Sequence, residues 1–490
     1  MPLRRNMGEP LSLEPLFPDR RSGEQLCVQL TRRLREAIES GAFPVGTRLL
    51  GTRQLAKRLG LGRNTVALAF EQLTAEGYLA TRTGSGTVVA AAGRASAPAR
   101  PSVKHEQPES ARRTAALRAR FTTSAGGGPL RPGMPDLAAF PHAAWERCAR
   151  KALDAYRGDL GYSRASGLSA LQDAIALHVR QFRGVTANAK QIVVVEGAQA
   201  ALHLIASVLA RAGDRVIVED PCYALARAAF ETHDLSLVPV PVDADGLCVD
   251  AIPCAARLAY VTPTHQYPLG GALPVARRTV LLRWADECGG YIVEDDYDSE
   301  FTSKAQPLPP LQCLDREERV VYVGSFSKTL APGIRVGYII APPHLVDAFT
   351  VARAVAGLGI GIHLQATLAD FVAHGHFARH IRRANAIYDR RRTILVDALQ
   401  PALRAGFRLG PSLTGLHVAL SAKPGFDDVA AASTVRGQRL VALSALCIRR
   451  RDCRGFLLGF TNGSDEEIAA AAGAVVKAIA IGAKSVQKPA

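Results

Sequence analysis

A lysine lies in a short segment of hydroxyl, glycine and arginine residues that directly follows an apolar run. The segment reads Gly-Ser-Phe-Ser-Lys-Thr-Leu-Ala-Pro-Gly-Ile-Arg and spans residues 324–335. Apolar surroundings and neighbouring cations favour the neutral amine, the form in which Lys328 can attack an aldehyde. Ser325, Ser327 and Arg335 supply hydroxyl groups and a guanidinium that suit a phosphate dianion. The segment therefore predicts covalent chemistry at Lys328 beside a bound phosphate group.

A second group of phosphate donors is predicted upstream, where an apolar strand ends in Val-Glu-Gly-Ala-Gln and a helix begins. The backbone N–H groups of Gly197, Ala198 and Gln199 lie at the start of that helix. Free N–H groups and the helix dipole favour an anion at this position. We therefore expect these three residues to hold the same phosphate as Arg335.

A carboxylate pair and an aromatic residue follow another short strand, at Tyr-Ile-Val-Glu-Asp-Asp-Tyr over residues 291–297. Asp295 is the candidate partner of a pyridinium nitrogen, since such a carboxylate keeps the ring protonated as an electron sink. Tyr297 lies two residues further, on the same side of the strand, and can reach the ring's phenolic oxygen. We expect Tyr223 to stack on the ring and His265 or Gln266 to lie beside it. Together these residues predict pyridoxal 5′-phosphate (PLP) as cofactor.

Each of these residues also has an ordinary structural interpretation when taken alone. Lys328 is compatible with a surface lysine, Asp295 with a cap, Tyr223 with core packing and Gly197 with a simple turn. The ordered set favours the cofactor site, because one chain seldom combines all of these residues by chance.

The elements that must position these residues are short β-branched runs that alternate with helical patterns. The runs lie at residues 191–195, 215–218, 258–261, 291–293, 319–323 and 336–340. Such alternation predicts an α/β domain with a mostly parallel sheet buried on both faces. We assign this domain to residues 118–490.

A smaller domain is predicted at residues 23–90, after an extension over residues 1–22 and before a flexible linker over residues 91–117. Apolar spacing predicts a helix over 24–40, a second helix capped by Thr52 and closed by Gly60, and a third capped by Asn64. The second and third form a helix-turn-helix. Residues 78–89 then predict a hairpin, the wing, with Gly84 and Gly86 in its turn.

The beginning of the third helix is the predicted DNA-reading surface, because in a helix-turn-helix this end of the second helix meets base edges and phosphates. Arg63, Asn64 and Thr65 occupy it. A net charge of +16 favours a polyanionic partner. Any single arginine, such as Arg53, is compatible with a solvated surface, but the ordered set favours binding to double-stranded DNA.

The small domain resembles the GntR family of winged-helix regulators. Arg53 matches the arginine that begins helix two, Arg63 and Thr65 match the Arg-x-Thr-Val motif, and Gly86 matches the Gly-x-Gly-Thr wing. The large domain resembles fold type I aminotransferases, and the order of the two resembles the MocR/GabR group. The fold class implied is an α+β winged helix-turn-helix domain followed by an α/β aminotransferase-like domain.

The resemblance also implies roles for individual residues. Lys328 would carry the cofactor as an aldimine, Asp295 would hold the pyridine nitrogen, and Arg335 the phosphate. Tyr297 would bond the ring's phenolate oxygen, and Tyr223 would stack on the ring. Arg454, shortly before a Leu-Gly pair, would bind the substrate carboxylate. Where GabR-like proteins carry a second arginine, this chain has Leu225.

The function expected from these features is a transcription regulator that senses a small amino compound through aldimine exchange at Lys328. Alternatives are an aminotransferase that carries a DNA-binding domain, and a structural protein with a vestigial pocket. The resemblance implies a homodimer. No apolar run reaches the roughly 20 residues of a membrane helix, and we expect a cytoplasmic protein. No metal site is expected, and the nine scattered cysteines predict reduced thiols.

Overall fold

The computed structural model describes residues 12–82, 86–90, 107–118, 120, 128–159, 161, 165–301, 308–411, 415–435 and 439–485. Packing divides the chain into two units, Met1–Gln107 and Pro108–Ala490. No helix within the described ranges is long and apolar enough to cross a membrane.

The first unit contains the predicted helix-turn-helix and wing. Its helices are α1 (Leu26–Glu39), α2 (Thr52–Leu59) and α3 (Arg63–Ala75), and its antiparallel strands are β1 (Leu79–Arg82) and β2 (Gly86–Val89). The apolar faces of the three helices meet in one core, which includes Leu30, Leu34, Leu55, Val66 and Leu73. The predicted winged helix-turn-helix is confirmed, whereas Gly84 lies outside the described residues.

The two predicted helix caps are wrong, although the helices themselves are confirmed. Thr52 is the first residue of α2, which has Gly51 at its N-cap, and Asn64 lies inside α3, which has Gly62 there. Neither N-cap provides a side-chain hydrogen bond. The exposed N–H groups of a helix start can bind water instead, so no capping side chain is required. Gly60 ends α2 in the left-handed conformation, as predicted.

Two of the predicted domain bounds also differ from the structure. Within the expected N-terminal extension, a 3-10 helix at Glu14–Leu16 buries Leu16 in the core of the first unit. Within the expected linker, residues Glu109–Ala116 form helix α4, and Arg113 of α4 pairs with Asp234 of the second unit. Residues 91–106 of the predicted linker lie outside the described residues.

The second unit is built on an eight-stranded sheet with the order β3-β10-β9-β8-β7-β4-β5-β6. Strands β9, β8, β7, β4 and β5 are mutually parallel, whereas β10 is antiparallel to both its neighbours and β6 to β5. The bounds are β3 Ile192–Val195, β4 Arg215–Asp220, β5 Ser236–Asp243, β6 Gly246–Leu247, β7 Leu258–Val261, β8 Tyr291–Asp296, β9 Val320–Ser325 and β10 Gly337–Ile340. The mostly parallel sheet is confirmed.

Helices pack around this sheet, so that β3, β7 and β8 are buried at every position. Their bounds are His142–Ala155, Ser169–Arg183, Ala198–Leu209, Ala224–Glu231, Val275–Glu287, Leu311–Leu314, Phe326–Thr329, Val346–Val355, Ile362–Ala373, His376–Ala398, Gln400–Arg404, Asp428–Thr434 and Asp465–Ser485. Strands covered on both faces read as continuous apolar runs, which is why β3 and β7 could be predicted.

A second, antiparallel sheet has the order β11-β12-β14-β13 and was not predicted from the sequence. Its strands are β11 (Arg408–Leu409), β12 (His417–Ser421), β13 (Val441–Ala442) and β14 (Gly455–Gly459). In the pairing of β12 with β14, His417 lies opposite Gly459. This register places the first residue of β12 beside the cavity described below.

Two cysteines are joined, contrary to the prediction of reduced thiols. Cys254 and Cys288 form a disulfide, with their Cα atoms 5.4 Å apart. Cys288 ends the helix Val275–Glu287, and Cys254 precedes β7, so the packing of that helix on the sheet brings them together. The other seven cysteines are free.

Candidate functional site

A cavity of about 360 Å³ opens at the carboxyl ends of the parallel strands. This is the edge at which open α/β sheets bind ligands. Most of the residues predicted to bind a cofactor line it: Ala198, Gln199, Tyr223, Asp295, Tyr297, Ser325, Ser327, Lys328 and Arg335. Folding therefore brings together side chains from four separate segments of the sequence.

Lys328 follows β9 on the helical turn Phe326–Thr329. Its Nζ atom donates a hydrogen bond to the carbonyl oxygen of Gly133, at 2.7 Å. Burial lowers the pKa of Lys328, and the negative charges of Asp295 and Asp298 oppose this shift. The amine is thereby brought closer to the neutral form that a nucleophile requires.

Asp295 lies at the end of β8, fully enclosed by protein. Burial raises its pKa to about 6, against the opposing effects of a hydrogen bond from Tyr260 and the charge of Lys328. The Tyr260 hydroxyl donates to Asp295 Oδ2 at 2.7 Å. The neighbouring Asp296 points to the other face of the sheet, where it pairs with Arg183 at 2.8 Å. Strand alternation thus separates the carboxyl that faces the cavity from the one that stabilises the core.

The far end of the cavity is suited to a phosphate group. Arg335 donates from Nη2 to the carbonyl oxygen of Glu196 at 3.1 Å, which holds it near the start of the helix Ala198–Leu209. Gly197 has a φ of 82°, and a Cβ atom there would lie 3.7 Å from Arg335 Nη1. Gly197 therefore supplies a backbone conformation that other residues rarely adopt, next to the Arg335 guanidinium. Ser325 and Ser327 add two hydroxyl groups to the cavity wall.

This donor set fits PLP. The helix start, Arg335 and the two serines match its phosphate, Asp295 matches its ring nitrogen, and Lys328 matches its aldehyde. A Cβ atom at Gly197 would occupy part of this space, 3.7 Å from Arg335 Nη1.

Aromatic residues form the walls of the cavity. Tyr223 packs edge-to-face on Tyr267, with ring centroids 5.6 Å apart, and Leu225 also lines the cavity. The Tyr297 hydroxyl donates to the backbone oxygen of His265 at 3.0 Å. Burial and nearby Asp298 raise the pKa of Tyr297, so this hydroxyl remains protonated. The Tyr297 hydroxyl therefore keeps a proton that it can donate to a ligand in place of the His265 oxygen.

Three residues that were predicted to bind the cofactor are absent from the cavity wall, namely Gly197, described above, His265 and Gln266. His265 Nδ1 lies 3.0 Å from Asp298 Oδ2. Gln266 Nε2 donates to the backbone oxygens of Pro221, at 3.0 Å, and Tyr267, at 2.7 Å. The side chains of His265 and Gln266 bind neighbouring protein groups instead. The next residue, Tyr267, is the one that lines the cavity. The prediction identified the correct loop but not the residue.

Arg454, the predicted ligand of the substrate carboxylate, is also absent from the cavity wall. Its Nη1 lies 3.5 Å from Oδ1 of the buried Asp428, which also accepts a hydrogen bond from the backbone of Gly455 at 3.0 Å. Arg454 precedes β14, whereas the end of that strand nearest the cavity is Gly459. A strand rises about 3.3 Å per residue, so five residues separate the two ends by roughly 16 Å.

Other cavity residues were not predicted as ligand contacts, among them Arg131, Tyr260, Tyr267 and His417. Arg131 belongs to an Arg-Pro-Gly-Met-Pro-Asp segment that supported the resemblance, and this was the only indication in the sequence. His417 belongs to a strand of the unpredicted second sheet, so no pattern pointed to it.

The first unit presents the predicted DNA-reading residues at its surface. Arg53 of α2 and Arg63 and Asn64 of α3 are exposed, and Thr65 is half-buried. Neither Arg53 nor Arg63 forms an ion pair with a carboxylate in the described part of the chain, so both remain available to phosphates. In the wing, a Cβ atom at Gly86 would lie 3.5 Å from the guanidinium of Arg48. Arg48 is thus a further cation of the wing that was not predicted.

Comparison with known families assigns both units. Residues 26–89 match the bacterial regulatory proteins of the gntR family, and residues 135–442 match aminotransferase class I and II. A solved structure with the fold of the second unit is the multiple substrate aminotransferase of Thermococcus profundus, with a TM-score of 0.68 and 27% identity. The likeness covers 78% of this chain and 96% of that one. PLP is therefore the cofactor of this domain.

Proteins with both units are also similar over nearly their whole length. The probable rhizopine catabolism regulatory protein MocR of Rhizobium meliloti is 36% identical over 86% of this chain and 87% of that protein. The pyridoxine biosynthesis transcriptional regulator PdxR of Corynebacterium glutamicum is 32% identical over 94% of this chain and 95% of that protein. The chain belongs to the MocR/GabR type of DNA-binding transcription regulators, in which a GntR domain is joined to an aminotransferase-like domain.

Proposed function

We propose that this regulator senses a small amino compound at Lys328 and that this compound changes the affinity of the first unit for its operator. The observation that carries the proposal is the grouping of Lys328, Asp295 and Arg335 around one cavity, in a chain that also carries a GntR domain. The named relatives regulate rhizopine catabolism and pyridoxine biosynthesis, both of which involve small organic compounds. A regulator of this kind needs a site that recognises such a compound.

The chain's own residues have distinct roles in this proposal. When bound, PLP supplies an aldehyde carbon that bonds reversibly to amines. Arg335, the two serines and the helix start would hold the phosphate, and Asp295 would keep a proton on the ring nitrogen. Lys328 is deprotonated more readily than an exposed lysine, because burial lowers its pKa. Tyr223 covers one side of the ring. Lys328 would be the residue with which an effector amine competes for the cofactor.

The regulator is further proposed to act in the cytoplasm as a homodimer. Bacterial operators lie in the cytoplasm, and readers of this class commonly bind paired half-sites as dimers. Two copies of the first unit would then contact one operator together, with Arg53, Arg63, Asn64, Thr65 and Gly86 at the DNA.

The test uses the full chain with PLP and compares Lys328→Ala with Lys190→Ala, an exposed lysine. Wild type and Lys190→Ala should gain an absorbance band near the visible edge and a cofactor fixed to the chain by borohydride, and Lys328→Ala should gain neither. A panel of amines is then added during operator titrations. Sensing is contradicted if no amine changes the operator affinity of the wild type.

A second candidate function is sustained transamination, favoured by the match of residues 135–442 to aminotransferase class I and II. A turnover assay with amino acids and keto acids separates the two. Rapid cycling would favour an enzyme, whereas binding without cycling would favour a sensor.

A further inference from the structure

A second cavity lies at the beginning of the second unit, between α4 and the helix Ala224–Glu231, and we call it the α4 groove. Its volume is about 620 Å³, and its lining residues are Ser110, Arg113, Thr114, Ala116, Leu117, Arg120, Arg227, Glu231, Thr232, Asp234 and Ala445. None of these residues lines the cofactor cavity. The α4 groove is therefore a separate site, and the cofactor chemistry makes no use of it.

One face of α4 forms a wall of the α4 groove. Ser110, Arg113 and Thr114, followed by Leu117 at the helix end, have the spacing of residues on one helix face. No residue of α4 is buried, so the helix gains little from apolar packing. A helix of only eight residues is marginal by itself. Polar contacts across the groove are therefore the main attachment of α4.

Three guanidinium groups line the α4 groove, and two of them have carboxylate partners. Arg113 pairs with Asp234, and Arg120 pairs with Glu231 at 2.6 Å. Both pairs are partly exposed to solvent, and such pairs contribute little to stability. The two pairs neutralise each other's charges and leave the third guanidinium, that of Arg227, as the excess positive charge.

Arg227 is buried, with 4% of its surface exposed, although it lines the α4 groove. It forms no ion pair within the described ranges, and its Nε atom has no hydrogen-bond partner there. Its Nη1 atom donates to the carbonyl oxygen of Cys447 at 3.4 Å, which is a long hydrogen bond. A buried charge is costly unless it is paired. An anion in the groove would supply the missing counter-charge.

The charges of Arg120 and Arg227 act on the same small region. Burial raises the pKa of Cys222 to about 12, and the positive charges of Arg227 and Arg120 oppose this rise. Both guanidinium groups thus lie within electrostatic reach of one thiol. The Oε2 atom of Glu231 accepts no hydrogen bond from the described residues. A ligand that combines an anionic group with a hydroxyl group would therefore suit both Arg227 and Glu231.

We propose that the α4 groove is a second ligand site, which binds the phosphate or carboxylate group of a small hydroxyl-bearing metabolite through Arg227, Arg120 and Arg113. Phosphate and carboxylate groups share the oxyanion that a guanidinium binds with two parallel hydrogen bonds. Because α4 forms one wall of the site, the bound anion attaches α4 more firmly to the helix Ala224–Glu231. The site requires neither Lys328 nor an amine, so it goes beyond the sensing proposed above.

The experiment measures hydrogen exchange in the PLP-loaded full chain, alone and with inorganic phosphate, glycerol 3-phosphate, glycerate or glycerol. PLP occupies the phosphate end of the cofactor cavity, so the added anions cannot bind there. Glycerol carries the hydroxyl groups without the anion. At least one of the three anions should slow the exchange of the α4 amides, and glycerol should leave it unchanged. A stronger effect of either phosphate compound or of glycerate then identifies which oxyanion the site prefers.

The variants are Arg227→Gln, Arg120→Gln and the matched control Arg316→Gln, an exposed arginine of the second unit. The anion concentration that gives half of the α4 protection should rise by about tenfold or more in Arg227→Gln and Arg120→Gln, because each loses hydrogen bonds to a charged group. It should match wild type in Arg316→Gln. Urea unfolding checks that Arg227→Gln folds, and the partly exposed Arg120 provides the same test without loss of a buried side chain.

Three outcomes would overturn the inference. The first is that none of the three anions slows exchange in α4 of the wild type. The second is that Arg120→Gln and Arg227→Gln respond to the best anion as Arg316→Gln does. The third is protection confined to α3, which would assign the anion to the DNA-reading surface. None of these outcomes affects the response of the cofactor band to amines, so the proposed function is tested separately.

Discussion

Asp295 is a buried carboxyl whose charged state is disfavoured by its surroundings. Its pKa is raised to about 6, whereas an unfolded chain has an aspartate pKa of about 3.9. Between these values the folded protein binds more protons than the unfolded chain. The free energy of unfolding therefore falls as the pH rises through this window, and the loss is complete above it. Glu219 and Glu294, with pKa values raised to about 7, act in the same direction.

We predict that Asp295→Asn flattens part of this pH dependence in the cofactor-free protein. Relative to wild type, the variant should gain about 3 kcal/mol of unfolding free energy at pH 7 and only about 0.5 kcal/mol at pH 4. Urea unfolding at both pH values measures the difference, with Asp173→Asn on an exposed helix face as control. Equal gains at both pH values would show that Asp295 is not the titrating group.

Arg63 is predicted to contribute directly to operator binding, since it begins α3 and forms no ion pair with the described carboxylates. Arg63→Ala should weaken binding by about 1 to 3 kcal/mol if it reads a base, or lower the salt slope by about one if it binds a phosphate. The absorbance band of the PLP-bound Arg63→Ala variant should match that of wild type. Gel-shift titrations at several salt concentrations measure both, and Arg32→Ala, whose side chain pairs with Glu24 at 3.0 Å, is the control. Unchanged affinity and slope would remove Arg63 from the interface.

The sequence was informative for residues that adjoin a strand and less so for residues that converge from distant segments. Lys328 and Asp295 each follow an apolar run, and the ends of parallel strands meet at one edge of a sheet, so their proximity could be predicted. Arg131 and His417 meet only through the packing of Gly459, which no local pattern reveals. The position of Arg454 outside the cavity wall could not be predicted either, because spacing along the chain does not tell which end of β14 lies nearer the cavity.

At the scale of elements, the turn between α2 and α3 depends on one glycine. Gly60 has a φ of 64°, a conformation in which a side chain is strained, and a Cβ atom there would lie 3.3 Å from Arg20 Nη2. Gly60→Ala should destabilise the first unit by about 1 kcal/mol. Gly62→Ala is the matched control, because Gly62 has a φ of −69°. Hydrogen exchange of the α2 and α3 amides measures both variants, and equal protection in the two would contradict the argument.

Strands of the large sheet were predicted correctly where a run of apolar, β-branched residues was uninterrupted. The β-branched runs gave β3, β4, β7, β8, β9 and β10. Strand β5 was missed because Pro239 and Pro241 interrupt its apolar residues. The second sheet was missed because β11 and β13 have only two residues each, too few for any periodicity.

At the scale of the whole molecule, the proposed sensing implies a reciprocal coupling between effector and operator. If an amine changes operator affinity by some factor, operator DNA must change the affinity for that amine by the same factor. A factor of about 5 to 150 is typical of such coupling. We expect absorbance titrations of the best amine, with and without operator, to match the change seen in gel shifts. A change in one direction only would exclude a thermodynamic link.

Helix α4 lies where the chain enters the second unit, and ion pairs attach it and the residue after it to another helix. Arg113 of α4 pairs with Asp234, and Arg120, just after it, pairs with Glu231 at 2.6 Å. Glu231 ends the helix that begins next to Tyr223, a residue of the cavity wall. The beginning of the second unit is thus bound to the C-terminal end of the helix Ala224–Glu231, and the N-terminal end of that helix adjoins the cavity wall. The eight-residue helix Ala224–Glu231 thus lies between the cavity wall and the residues that begin the second unit.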